Sequence, residues 1–183
     1  MTVVADSSPL VILAKLGCFE LLNRLFSRLY ISTEVHHEVV FSGAGLPGAS
    51  EVSTAEWIEV KQLQNPAVLL AAQEKYALGV GDLSTILLGK EIQANALLLG
   101  DYNARKLARA EGFQVRGSVG LLESFYLGGH LTDLRAAFRQ LLAHSYIDER
   151  LLDLRLQALG FLRSEQTARS CLVRSTALRT HEI

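Results

Sequence analysis

The chain has 183 residues, 49% of them hydrophobic, with a net charge of -1 and a pI near 6.5. That suits one compact domain with a sizeable core and an appendage, and it excludes the strongly basic balance of a non-specific nucleic-acid binder. Contact with a polyanion would then need a local basic patch or a bound cation. Cys18 and Cys171 are not spaced for zinc and suit a reducing cytosol, and neither a signal-peptide pattern nor an apolar run of membrane-span length occurs, which predicts a cytoplasmic protein.

Val3-Val4-Ala5 predicts a buried strand that stops at Asp6. Ser8-Pro9 predicts a helix start, with Ser8 as N-cap, and Leu10, Val11, Leu13, Ala14 and Leu16 carry it to about Lys15. Phe19 to Phe26 predicts a second short helix, and Leu29-Tyr30-Ile31 a strand. Ser32 or Thr33 then caps a helix that bears Glu34, His36, His37 and Glu38, with Val35, Val39 and Val40 on its apolar side. Phe41 to Ser50 reads as a loop. Its Gly43-Ala44-Gly45-Leu46-Pro47-Gly48 matches the dinucleotide pattern formally, but a helix precedes it and Pro47 lies within it, so that reading is rejected.

Trp57 to Val60 predicts an edge strand, and Asn65-Pro66 opens a helix running to about Ala77. Gly79-Val80-Gly81-Asp82 interrupts the pattern before Leu83, Ile86, Leu87 and Ile92 continue it. Ala96 to Leu99 predicts an internal strand ending in Gly100-Asp101, and a helix follows to Gly112. Phe113 to Val115 predicts a strand, and helices follow at roughly 118–127, 131–143 and 148–160 before a weakly periodic arm. Strands alternating with helices predict an α/β protein with a mainly parallel sheet covered on both faces. Residues 1–145 form its body and 146–183 a helical C-terminal extension and arm of the same domain.

Asp6 and Asp101 both follow an apolar strand and precede a helix, so on neighbouring parallel strands they face one crevice. Asp82 sits at a glycine-flanked helix start, and Glu38 lies early in a helix after another strand, with Glu34 as its rival four residues away. Four acids at such points predict a hard-cation site. Clustered carboxylates repel and raise one another's pKa, and a divalent ion removes that cost, bridges to phosphate and activates water. Asp82 and Asp101 also read as plain N-caps, and His36 and His37 as helix residues rather than ligands. Ser7, Asn103, Arg105, Lys106, Arg109 and Arg116 are candidates for guiding a nucleic-acid backbone, with a solvated helix face as the plainer reading of the basic ones. No P-loop occurs, and Ser8 stands where a phospho-aspartate phosphatase wants a second Asp.

Val4-Ala5-Asp6-Ser7-Ser8-Pro9-Leu10 resembles the opening of PIN-domain proteins, and more closely a prokaryotic PIN-like branch described as predicted nucleic-acid-binding. The resemblance runs on through Val35-His36-His37-Glu38, Leu78-Gly79-Val80-Gly81-Asp82, Leu97 to Arg105, Val115 to Leu122 and Gly128-Gly129-His130-Leu131, covering roughly residues 2–160. It implies a three-layer α/β/α PIN-like fold and a metal-dependent endoribonuclease, often the toxin of a toxin–antitoxin pair. By that resemblance Asp6, Glu38, Asp82 and Asp101 hold Mg2+ or Mn2+, and the RNA phosphodiester is cleaved by metal-activated water. A homodimer and a small antitoxin protein are the implied partners. The chain departs from the branch twice: Asp82 stands where Glu is common, and Gly100 where a second acid often precedes Asp101. The alternative is a PIN-like module with weakened catalysis that binds nucleic acid or a protein.

Overall fold

The computed structural model describes residues 1–145 and 147–161, so the predicted arm and Cys171 lie outside the described residues. By internal contacts the chain divides into two units, Met1–Ser145 and Tyr146–Ile183. In the first unit, β1 (Val3–Ala5), β2 (Leu29–Ser32), β3 (Ile58–Lys61), β4 (Ala96–Leu98) and β5 (Gln114–Arg116) form a sheet ordered β3-β2-β1-β4-β5. Every pairing is parallel, with Val4 beside Tyr30 on one side and Leu97 on the other.

The helices of this unit are α1 (Ser7–Lys15), α2 (Leu21–Leu25), α3 (Thr33–His36), α4 (Ala49–Thr54) and α5 (Pro66–Lys75), then α6 (Val80–Glu91), α7 (Tyr102–Ala110), α8 (Ser118–Leu127) and α9 (Leu134–His144). A π-helical stretch, His37–Ser42, continues α3. Helix α10 (Glu149–Ala158) belongs to the second unit, where the Asp148 carboxylate caps it by accepting from the Arg150 N–H at 2.9 Å.

β1 is central because nothing in it needs water: Val3, Val4 and Ala5 are all fully buried. Side chains alternate across a strand, so Val4, Leu97 and Leu99 share one face, packed with Leu83, Ile86 and Leu88 of α6 and Ala104 and Ala108 of α7. Val3, Ala5 and Leu98 fall on the other, where α1 packs among α4, α8 and α9. The mainly parallel three-layer arrangement predicted from the alternating pattern is what the chain forms.

The chain winds from β1 through β2 to β3 on one side, then crosses back to place β4 and β5 on the other. The reversal leaves a crevice beyond the carboxyl ends of β1 and β4, the place where open sheets of this kind bind ligands. The Asp6 N–H donates to the Leu98 carbonyl at 2.9 Å and extends that pairing to the crevice edge.

Several boundaries differ from expectation. The N-cap of α1 is Asp6 rather than Ser8, its carboxylate accepting from the Ser8 N–H. Gly79-Val80-Gly81-Asp82 is the expected glycine-flanked helix start and opens α6, but the N-cap is Gly79 rather than Asp82. The predicted loop Phe41–Ser50 shrinks to Gly43–Gly48, because the π-helical stretch reaches Ser42 and α4 starts at Ala49. The sign of α4 was present as Glu51 three residues after Gly48: its carboxylate accepts from the Gly48 N–H at 3.0 Å, half of a capping box.

Gly100 has a steric reason. A Cβ there would meet the Cβ of Ser8, with the Ser8 Oγ at 2.8 Å, because the first turn of α1 crosses the end of β4. The position expected to have lost an acid is one with no room for a side chain. Gly100→Ala is expected to cost about 1–3 kcal/mol by overpacking, read as a lower urea midpoint with unchanged m-value. An unchanged midpoint would show that α1 can yield.

Candidate active site

The four predicted acids reach the crevice from four elements, and the local reason differs for each. Asp6 follows β1, is only 2% exposed, and caps α1, with Oδ2 3.3 Å from the Ser8 nitrogen. Asp101 follows β4, is exposed, and caps α7, Oδ1 accepting from the Ala104 N–H at 2.8 Å. Capping and site membership are therefore compatible for both: one carboxylate oxygen serves the helix, and the group stays at the sheet edge. Glu38 lies in the π-helical stretch and is exposed. Asp82 is half-buried in the first turn of α6, its carboxylate reaching back to the Gly79 backbone N–H.

Gly81 measures how closely these groups meet. A Cβ on Gly81 would sit 2.8 Å from Asp6 Oδ1 and 2.9 Å from Glu38 Oε2. The first turn of α6 thus lies directly against both carboxylates. Ser7 joins them from below, its Oγ 3.0 Å from Glu38 Oε1 and 3.3 Å from Asp6 Oδ1. A hydroxyl carries one proton, so Ser7 can donate to one carboxylate at a time.

The electrostatic cost falls on Asp82. Burial first, then the charges of Asp6, Asp101 and Glu38, push its carboxyl up to about 7, against a small opposing effect of the Gly79 N–H. Its Oδ1 is buried and has no hydrogen-bond partner. Asp6 is raised as well, by burial and then by Glu38, although the N–H groups of Ser7 and Ser8 pull the other way. Among the described residues none of the four acids has an ion-pair partner. Nor, as the side chains stand, does any group of three His, Cys, Asp or Glu among the described residues gather closely enough to ligate one ion.

The donor set fits a hard cation on chemistry. The facing groups are carboxylate oxygens, and the orphaned Asp82 Oδ1 is a buried acceptor that lacks a positive partner. Asp82 also yields a pH prediction. Its proton is held more tightly in the folded than in the unfolded chain, whose ordinary value is 3.8. Stability of the metal-free protein therefore falls as pH rises from about 4 to about 7 and stays lower above that. Asp82→Asn removes this slope. In chelator, its melting temperature is expected to match the wild type near pH 4 and exceed it by several degrees at pH 8. A difference independent of pH would refute the assignment.

Two clefts flank Glu38. One, of about 450 Å3, is bordered by Glu34, His37, Glu38, Ser42 and Gly81, and the other, of about 390 Å3, by Ser7, Val11, Glu38, Val39 and Leu46. His36 and His37 direct their rings at Phe41, with centroids 5.6 and 5.5 Å away. Glu34, the rival of Glu38, lies beside the Thr33 hydroxyl at 3.2 Å.

Of the predicted basic residues, Arg105 lies beside the acids, within electrostatic reach of Asp101 and Asp82. Asn103, Lys106 and Arg109 stand exposed on α7. Arg116 ends β5 and donates to Ser124 Oγ at 2.9 Å. Arg105 is half-buried, and its guanidinium donates to the carbonyls of Leu99 and Gly100, which ties α7 to the end of β4. Burial and the neighbouring Arg109 lower its pKa, while Asp101 and Asp82 oppose that shift.

A family model described as a PIN domain matches residues 2–160. The chain belongs to the PIN-domain family. PIN domains are generally nucleases and typically use divalent metals, so the acidic crevice of this PIN domain lies where nuclease-type chemistry is expected. No curated protein matches the chain. Among solved structures it is similar to a PilT N-terminus domain protein from the hyperthermophilic archaeon Sulfolobus solfataricus, at 18% identity over 68% of this chain and 92% of that one, with a TM-score of 0.49. Among the described residues no helix is long and apolar enough to cross a membrane.

Proposed function

We propose that this PIN domain is a metal-dependent endoribonuclease that holds Mg2+ or Mn2+ through Asp6, Glu38, Asp82 and Asp101. The observation that carries the reading is Asp82: a buried, partnerless carboxylate oxygen on a group pushed up to about 7 by burial and by the three other acids. A cation is the simplest occupant that turns this repulsion into attraction. When bound, it supplies an acidified water and positive charge for the phosphate.

The chain's own groups do the rest. Asp6, buried and fixed by its α1 cap, forms the rigid floor, while exposed Glu38 and Asp101 form the rim. Ser7 donates to Glu38 and orients it toward Asp6. Near pH 7 Asp82 is poised to take or hold a proton, and its deprotonated form would be the one to hold a cation. Asn103, Lys106, Arg109 and Arg116 are exposed donors for the RNA backbone. Arg105 supports the Asp101 loop from behind through its carbonyl contacts.

On the same reading, residues 1–145 are the nuclease body and 146–183 its appendage, and the protein is a cytoplasmic homodimer that acts as the toxin of a toxin–antitoxin pair. The test is Mn2+ titration of the purified chain alongside cleavage of a labelled single-stranded RNA with and without chelator. Saturable Mn2+ binding and chelator-sensitive cleavage are expected. Cleavage indifferent to chelator would refute metal dependence.

A second reading, a PIN-like module that binds nucleic acid or protein with weakened catalysis, is favoured by one observation. Among the described residues no three potential ligands stand at ligating spacing. It predicts RNA retention without cleavage at saturating Mn2+.

A further inference from the structure

Two buried serines, remote from solvent, connect the elements that carry the acids. The Val35 N–H donates to Ser32 Oγ at 3.1 Å, Ser32 Oγ lies 2.8 Å from Ser84 Oγ, and Ser84 Oγ donates to the Gly81 carbonyl at 3.0 Å. Both serines are fully buried. Because Ser84 commits its hydrogen to Gly81, Ser32 must donate to Ser84. The result is a directed chain, Val35 N–H to Ser32 to Ser84 to the Gly81 carbonyl, with every hydrogen used. The next residue, Thr85, is also fully buried, its hydroxyl 3.5 Å from the Ala5 carbonyl at the end of β1.

We propose that Ser32 and Ser84 are positioning residues for the acidic site, setting the distance between α6, which carries Asp82, and the α3 segment, which leads into Glu38. The proposal rests on the metal-site reading above. The chain ends on Gly81, the residue whose Cα faces Asp6 Oδ1 and Glu38 Oε2. Carboxylates that repel cannot set their own spacing, so something behind them must. An apolar contact at these positions would fill the space but tolerate sliding of α6 along the sheet. Oriented hydrogen bonds away from water hold one register, since any slip leaves buried hydroxyls unpaired. Groups hydrogen-bonded directly to metal ligands typically change affinity about 10–100-fold, and these serines act one step further back, through the Gly81 and Val35 backbone.

Ser84→Ala keeps a good helix former in α6 and removes both of its hydroxyl contacts. Mn2+ affinity is measured by calorimetry on the full chain, at a temperature where wild type and variant are both folded. About tenfold weaker binding is expected, at the low end of that range. Ser32→Ala should weaken binding similarly, and the double variant by little more than either alone, because each breaks the same chain. A lower melting temperature with an unchanged Mn2+ dissociation constant would overturn the proposal and leave the serines a purely structural role. Should Ser84→Ala fail to fold, Ser84→Cys keeps a slightly larger side chain of the same shape while weakening the bonds, and unchanged Mn2+ affinity there would overturn it equally. Asp6→Asn is the control: if it alone abolishes binding, the metal reading stands whatever the serines do. If it binds Mn2+ like the wild type, the metal reading itself fails.

Discussion

Asp6→Asn is expected to abolish Mn2+ binding and to lower RNA cleavage by at least about 10²–10³-fold, the scale seen when one preorganised electrostatic group is removed from an active site. The fold should survive. Asn caps helices about as well as Asp, so the contact to the Ser8 N–H can persist. The substitution also removes a buried charge that faces Glu38 and contributes to the raised pKa of Asp82. The metal-free variant should therefore melt no lower than the wild type at pH 8, and the stabilisation that Mn2+ gives the wild type should vanish. Calorimetry with and without Mn2+, beside a cleavage assay, reads all three. Wild-type cleavage by Asp6→Asn would remove the nuclease proposal in this form.

Gly81→Ala separates stability from function more sharply. In most helices Ala is favoured over Gly by about 1 kcal/mol. Here the added methyl enters the space between two carboxylates, 2.8 Å from Asp6 Oδ1 and 2.9 Å from Glu38 Oε2. The Glu38 oxygen ends an exposed side chain and can swing away from Asp6, which stays on its cap, so the protein should fold with a melting temperature within a few degrees of the wild type. The two oxygens cannot move apart and still share a cation. A displacement of about 1 Å in a catalytic arrangement costs on the order of 10²-fold in rate, and a loss of that size or greater is expected in cleavage, with weakened Mn2+ binding. Wild-type Mn2+ affinity in Gly81→Ala would mean that the ion, if held, sits away from α6.

Much of this was legible in the sequence because it is local. An apolar run, an acid and a helix opening state the end of a parallel strand, and that pattern marks Asp6 and again Asp101. The glycines flanking Asp82 mark a close approach, which Gly81 makes. Other features were not legible. Gly100 reads as a missing acid, yet its cause is Ser8, ninety-two positions away in the chain and in contact only once α1 crosses β4. Arg105 reads equally as a helix-surface residue or a phosphate contact, and the bonds its guanidinium makes to the carbonyls at the end of β4 carry no signal along the chain. Ser32 was legible as the cap of α3, and its Oγ accepts from the Val35 N–H as one, but its contact with Ser84 was not, since only folding brings the two hydroxyls to 2.8 Å.

By itself the sequence determined the elements and the ends on which the acids stand, because strand termination, capping and helix periodicity depend on neighbours a few residues apart. Tertiary structure alone decided that β4 returns beside β1 rather than beside β3, and hence that Asp6 and Asp101 share a crevice. It also decided that Asp82 bears the cost of that convergence. Charge repulsion and desolvation depend on separation in space, and no spacing along the chain encodes them until the sheet has closed around them.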